Sequence, residues 1–197
     1  NRTGVTAKIR IIQSLPNYLR KWVLRTYNAM STHKQDVVHS FMDWSNIMTG
    51  ISGVLLEHPN VNLSFRCTSP NNYEKNKYWF KKYYKLLSNY KSVKFSGNSI
   101  QGNNDYMNWL KLKSKKIHYT PNIRDNGIEL KERSQSIKTI NSQYPKINLS
   151  KSDFVIGGVF RLDEQKCPLL FLKVLARLKQ SEKEFKCIIV GDGPLNK

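Results

Sequence analysis

Acidic residues are scarce in this sequence. Its 197 residues hold 14 Asp+Glu against 33 Lys+Arg, a formal net charge of +19. A field of that sign and size draws anionic partners: nucleic acid, acidic lipid or phosphorylated substrates. Part of it is compositional, because Lys, Asn, Ile and Tyr are abundant together. Cysteine is scarce too. The three residues, Cys67, Cys167 and Cys187, stand far apart and form no CxxC pair. That excludes a disulfide framework and a cysteine-built zinc site, and it fits a reducing cytoplasmic setting. The four histidines (33, 39, 58 and 118) show no HExxH-type spacing. No apolar run approaches the roughly 18 residues of a membrane span. The N-terminal NRTGVTAKIR lacks a Met and lacks the apolar centre of a signal peptide, so a chain that starts inside a longer gene product is expected. Internal repeats and low-complexity tracts are absent as well.

What is present is enough apolar material for a core. Hydrophobic residues make up 39% of the chain, with ten Tyr, eight Phe and four Trp. Short apolar runs alternate with amphipathic stretches, the pattern of an α/β protein. A strand is expected near KIRIIQ, then a helix from Pro16 to Met30. DVVHSF, NVNLSFRC, SVKFSGN and KKIHYTPNI read as further strands. Between them SNIMTGISGVLLEH, YEKNKYWFKKYYKLLSNYK and SIQGNNDYMNWLKL read as helices. This order predicts a parallel sheet covered by helices on both faces. Functional loops then leave the C-terminal strand ends, at 39–43, 66–72, 97–99 and 121–124. Residues 1–123 form the first domain in this reading. Residues 124–152 read as a linker or docking helix, helical from Ile128 to Ser142, and a second domain starts at 153.

The aromatic helix has two readings. Trp79, Phe80, Tyr83, Leu87 and Tyr90 share one helical face, which reads first as core. Lysines 75, 77, 81, 82 and 85 lie on the other side, where anionic headgroups are a second reading. The same interleaving of aromatics and lysines suits nucleic acid, but no RNP motif, zinc-finger spacing or helix-turn-helix pattern accompanies it.

Near the C-terminus stands VIGGVFRLDEQKCPLLFLKVLARLKQSEKEFKCIIVGDGP. DFVIGGVF is apolar on both faces, as a buried parallel strand is. Gly157 and Gly158 are expected to let the backbone pass close to a neighbour. Pro168 suits the first position of a helix. Phe171, Val174, Leu175 and Leu178 follow at i, i+3, i+4 and i+7, a face that packs on a sheet. Arg161 and Lys166 lie in the loop opening onto that helix, where free N–H groups and the helix dipole favour an anion. A guanidinium fork and a mobile ammonium there suit a diphosphate; two surface cations in a Lys-rich chain are the alternative.

GVFRLDEQK followed by IIVGDGP resembles the start of the C-terminal domain of retaining family-4 glycosyltransferases of GT-B architecture. DVVHSFMDWS resembles that family's first-domain strand end. NSIQGNNDYMNW resembles its N-S segment, and IHYTPNIRD its crossing between domains. LSFRCTSP after DVVHSFMD is most similar to the branch that builds capsular and Vi-type polysaccharides. The resemblance implies two Rossmann-like parallel-sheet domains, both incomplete in this chain. The first would lack its opening strand and glycine-rich loop. The second would stop before the E-x7-E segment, which leaves the catalytic residues unassigned.

The resemblance also implies roles. Arg161 and Lys166 would hold the donor diphosphate, and Gly191, Asp192 and Gly193 would form a turn near the nucleotide. The family's E-K-G triplet is here Gln165-Lys166-Cys167. Phe41 stands where many members carry a second His, so sugar or acceptor contacts would shift to Asp43 or Trp44, with Ser99 and Asn122 as further candidates. The implied partners are a nucleotide diphospho-sugar and a lipid-linked glycan acceptor. Arg and Lys replace Mg²⁺, so no metal or other cofactor is expected. The implied enzyme is cytoplasmic and peripheral at an anionic membrane face, where net positive charge lengthens its stay. The competing class is a basic α/β nucleic-acid-binding module without catalysis, which a steep salt dependence of RNA or DNA affinity would mark.

Overall fold

The computed structural model describes residues 10–72, 78–112, 116–123, 130–181 and 184–196. The opening of the expected aromatic helix (73–77), that of the expected docking helix (128–129) and the first residues of KIRIIQ fall outside them. The chain divides into two compact units, Asn1–Arg124 and Asp125–Lys197.

The first unit opens with helix where a strand was expected. Residues 10–13 are helical, and after Pro16 helix α1 runs over Asn17–Ser31. Ile11, Leu15, Leu19 and Val23 explain the difference: they recur every four residues and are all buried. The proline interrupts the helix, but the apolar face continues through it. Four strands follow: β1 (Val38–Phe41), β2 (Val61–Phe65), β3 (Val93–Gly97) and β4 (Ile117–Tyr119). They form one parallel sheet in the order β1-β2-β3-β4. The crossovers are α2 (Asp43–Leu55), α3 (Tyr78–Leu87) and α4 (Ile100–Leu110).

Helices on both faces were expected; the structure packs the crossover helices side by side on one. A sequential strand order with right-handed crossovers requires this, since each step moves the same way across the sheet. The strands alternate accordingly. Val61, Leu63, Phe65, Val93, Phe95 and Ile117 are buried on the helix side, while His39, Phe41, Lys94 and His118 are exposed on the other. Among the described residues no helix of this unit covers that second face.

Small residues set the spacing on the helix side. A Cβ on Gly53 would lie 2.6 Å from Val61 Cγ2, and one on Gly50 would lie 2.6 Å from Leu87 Cδ1. Helix α2 therefore sits directly on the sheet, with Ser52 Oγ donating to Val23 O of α1 at 3.0 Å. The aromatic face of α3 is core: Trp79, Phe80, Tyr83, Tyr84 and Leu87 are all buried. Phe65 and Tyr106 stack beneath it with ring centroids 3.7 Å apart. Each such ring removes enough apolar surface from water to contribute about 2–3 kcal/mol.

The second unit holds α5 (Arg133–Gln143), β5 (Val155–Val159), α6 (Pro168–Lys179) and β6 (Lys186–Val190). Strands β5 and β6 pair in parallel around the α6 crossover, and Pro168 takes the first turn of α6 as expected. The side chain of Asn141 bonds both the N–H and the C=O of Leu149, tying the segment after α5 back to it. Lys186 and Asp153 pair at 2.8 Å where the two strands begin.

Three expectations change here. One crossover covers only one face of a two-stranded sheet, so Val159 is exposed rather than buried, and Val190 on the neighbouring strand is exposed as well. On α6 the inward positions are Pro168 and Leu175 with half-buried Phe171, whereas Val174 and Leu178 face outward. The helix is apolar on more than one stripe, and the sheet takes only one of them. Gly157 has open space where a Cβ would stand; Gly158 alone is close to neighbours, the rings of Phe160 and Phe171.

Candidate active site

The C-terminal ends of β1, β2 and β4 bring Phe41, Arg66 and Asn122 together. Arg66 Nη1 donates to Asn122 Oδ1 at 2.7 Å, and Asn98 Nδ2 reaches the same oxygen at 3.4 Å. The Arg66 guanidinium lies over the Phe41 ring, 4.8 Å from its centroid, and His39 packs against the ring 4.3 Å away. Phe41 thus serves as an apolar platform that holds the Arg66 cation. Arg66 is the residue that sequence reasoning did not single out. One cation among 33 basic residues carries little signal; its place one residue beyond β2 is the only mark.

His39 begins a polar row across the open sheet face. Asn62 Nδ2 donates to His39 Nε2 at 3.2 Å, and Ser96 Oγ donates to Asn62 Oδ1 at 3.1 Å. His39 is exposed by surface area, but packing on Phe41 takes water from part of the ring; this desolvation, and secondarily the Arg66 charge, hold the imidazole below its ordinary value of 6.5. The folded state therefore favours neutral His39. As pH falls through 6.5 the unfolded chain takes up the proton first, so this group works against stability on the acid side. In an NMR titration Arg66→Ala raises the His39 pKa yet leaves it below 6.5, because the desolvation against Phe41 remains. An unchanged value would show that Arg66 does not act on the ring.

The other expected residues of this unit sit deeper or serve local structure. Asp43 is 6% exposed. Its Oδ1 accepts from Tyr84 Oη at 2.7 Å and from Tyr106 Oη at 2.6 Å. Asn46 joins this network through Ser40, Tyr84 and the Ser64 carbonyl. Met42, just ahead, has φ 72°, a conformation that costs a non-glycine residue and persists because Asp43 is fixed behind it. Trp44 packs edge-on against Trp79 and Phe80. Ser99 caps α4, its Oγ accepting from Gly102 N at 3.2 Å. At the end of β3 a Cβ on Gly97 would stand 1.9 Å from Asn103 Oδ1, so a side chain there has to displace that amide.

In the second unit Arg161 and Lys166 occupy the loop between β5 and α6. The Arg161 Nε pairs with Asp163 Oδ2, and its Nη2 donates to Gln165 Oε1 at 3.3 Å. Asp163 also caps the following turn, accepting from Lys166 N at 3.1 Å. One carboxylate thus orients the guanidinium and fixes the backbone that carries the lysine. The Arg161 side chain remains 64% exposed. Cys167, at φ 52°, turns the chain into Pro168.

The Gly191–Gly193 turn lies against this loop. Phe160 N donates to Val190 O, Leu162 N to Asp192 O, and Leu195 N to Leu162 O. A Cβ on Gly191 would stand 1.9 Å from Phe160 O and one on Gly193 2.3 Å from Leu162 O, both at positive φ. Gly191 and Gly193 are needed for this backbone approach. Asp192 Oδ1 is engaged by Gly193 N and Asn196 Nδ2.

No family model matches the chain. It is 24% identical over 189 residues to the Vi polysaccharide biosynthesis protein VipC/TviE of Salmonella typhi, covering 94% of this chain and 32% of that protein. The similarity runs through both units. The chain thus spans about a third of the length of the curated relative it matches. No helix among the described residues is long and apolar enough to cross a membrane.

Proposed function

We propose that this chain is part of a retaining GT-B glycosyltransferase that extends a surface polysaccharide from a nucleotide diphospho-sugar. The similarity to a Vi polysaccharide biosynthesis protein, sustained over 94% of the chain, carries this reading. Two parallel sheets, each with its polar loops at the C-terminal strand ends, support it. Arg161 and Lys166 neutralise the donor diphosphate as it leaves, the service a metal ion gives in other transferases. The Gly191–Gly193 turn borders the nucleotide. The first unit takes the acceptor, a lipid-linked glycan, beside Phe41, Trp44, Arg66 and Asn122, while Asp43 fixes the strand end from beneath.

Expressed from its complete gene, the protein transfers sugar from one of a panel of UDP- and GDP-sugars to a glycolipid extract of its host. The anomeric configuration of the donor is kept, as read by NMR of the product, and a chelator leaves the rate unchanged. Absence of both transfer and nucleotide-sugar binding would overturn the reading.

A further inference from the structure

Arg66 is held from three sides without meeting an acid. It is the first residue beyond β2, and the register of β2 and β3 sets it beside Asn98 at the strand ends. The Phe41 ring lies against its guanidinium, 4.8 Å away at the centroid. Arg66 Nη1 donates to Asn122 Oδ1 at 2.7 Å, and Asn98 Nδ2 approaches the same oxygen at 3.4 Å. A guanidinium only donates, so Arg66 fixes which way the Asn122 amide faces. The Asn122 oxygen is taken by these two donors, and its Nδ2 is what that side chain still offers. Arg66 Nε and Nη2 have no partner among the described residues. Arg66 and Asn122 are exposed, and Asn98 is half-buried. What Arg66 and Asn122 present outward is therefore N–H donors around one positive charge.

Charge and geometry select the ligand. Two acids border these strand ends, and both are committed elsewhere. Asp43 is buried and accepts from Tyr84 and Tyr106. Asp105 accepts from Ser69 N and Asn72 Nδ2. Among the described residues no carboxylate pairs with Arg66. Lys94, His39 and His118, exposed on the same open sheet face, bring no negative charge. A planar fork with one free edge matches the paired oxygens of a carboxylate or phosphate group, whereas a neutral hydroxyl leaves the charge unanswered.

We infer that Arg66, with Asn98 and Asn122, binds an oxyanion carried on a sugar, a carboxylate or a phosphate group. Under the function proposed above that sugar belongs to the acceptor, so the first unit selects an acidic glycan. This assignment to the acceptor rests on that reading; the binding of the anion does not. The place is distinct from Arg161 and Lys166, which lie in the second unit. His39 reports its occupancy. It packs on the same Phe41 ring, and the Arg66 charge contributes to the lowered pKa of its imidazole. An anion on Arg66 offsets that charge, so the His39 pKa rises as the site fills.

The test uses the 197-residue chain in NMR titrations with glucuronate, glucose-6-phosphate and glucose. The acids shift the Asn122 side-chain amide and the His39 ring signals saturably and raise the His39 pKa; glucose does neither. Arg66→Ala loses about tenfold or more in affinity for the acids, the measure of one charge-assisted contact. Arg66→Lys keeps the charge without the fork and recovers only part of that loss. Lys94→Ala removes one charge from the same sheet face but no donor from the cluster, and changes affinity little. Equal loss in Lys94→Ala would reduce the effect to net charge and overturn the assignment to Arg66. Glucose binding as tight as that of the acids, or undiminished acid binding by folded Arg66→Ala protein, would overturn it as well. Inorganic phosphate or acetate bound as tightly as the sugar acids would mark a site for free ions and overturn the inference that a sugar is read. Sugar transfer is read in no arm. A complete gene product that transfers no sugar leaves this result standing, and failure of the acids to bind leaves the proposed transfer standing.

Discussion

Replacing Arg161 with Ala is expected, under the proposed function, to lower sugar-transfer turnover of the complete gene product by about 100-fold or more. Donor affinity falls less than turnover, because charge on the leaving diphosphate grows toward the transition state and only interactions that strengthen there accelerate the step. The geometry explains why one side chain has so large an effect. Arg161 is clamped by Asp163 and Gln165 yet keeps most of its surface open, so it meets an anion with little reorganisation. Lys166→Ala does similar harm. Under the proposed function both cations act on one diphosphate, so the double substitution falls short of the product of the two single effects. Single-turnover kinetics separate chemistry from binding. Transfer at the unsubstituted rate by folded Arg161→Ala protein would remove Arg161 from the reaction and leave the fold untouched.

Asp43→Ala costs about 4 kcal/mol of folding stability. Two tyrosine hydroxyls converge on one carboxylate oxygen of a residue that is 6% exposed. Removing the carboxylate withdraws a buried acceptor from both, at about 1–3 kcal/mol each. Tyr84→Phe costs less, because the carboxylate keeps its bond to Tyr106. Urea denaturation of the purified protein measures both changes. A loss under about 1 kcal/mol for Asp43→Ala would show that the network is dispensable.

Asp43 also marks how far sequence reasoning reached. Its position after DVVHSFM is legible, but its partners Tyr84 and Tyr106 lie on α3 and α4, and no local pattern pairs them. The four parallel strands were legible because the apolar residues of VHSF, VNLSF, VKFSG and IHY stand between turn signals and amphipathic helices. The same strings alternate His39, Asn62 and Lys94 with apolar residues, which is the mark of a sheet open on one side; weight given to the strand-helix alternation obscured it. The first strand was misread because Ile11 and Ile12 form a short apolar run, while the four-residue rhythm that makes it helical crosses a proline. On α6 the fault is excess of signal: Leu169, Leu170, Leu172, Val174 and Leu178 leave more than one stripe able to face a sheet. Arg161 and Lys166 stood out because a loop opening onto a helix is a strong context. Arg66 was legible only as the first residue of the 66–72 loop, and its place over Phe41 came with the fold.

The hydrogen bonds that run from the β5 end into the Gly191–Gly193 turn have a thermodynamic consequence. Segments 160–162 and 190–195 are pinned backbone to backbone beyond their strands, so this loop has already given up its conformational entropy when the chain folds. An anion that arrives at Arg161 meets a surface with little freedom left to lose. The cost of ordering, about 1–2 kcal/mol for each backbone residue fixed, falls on folding instead of on binding. A side chain at Gly191 or Gly193 would separate the segments and transfer that cost to every encounter with the ligand.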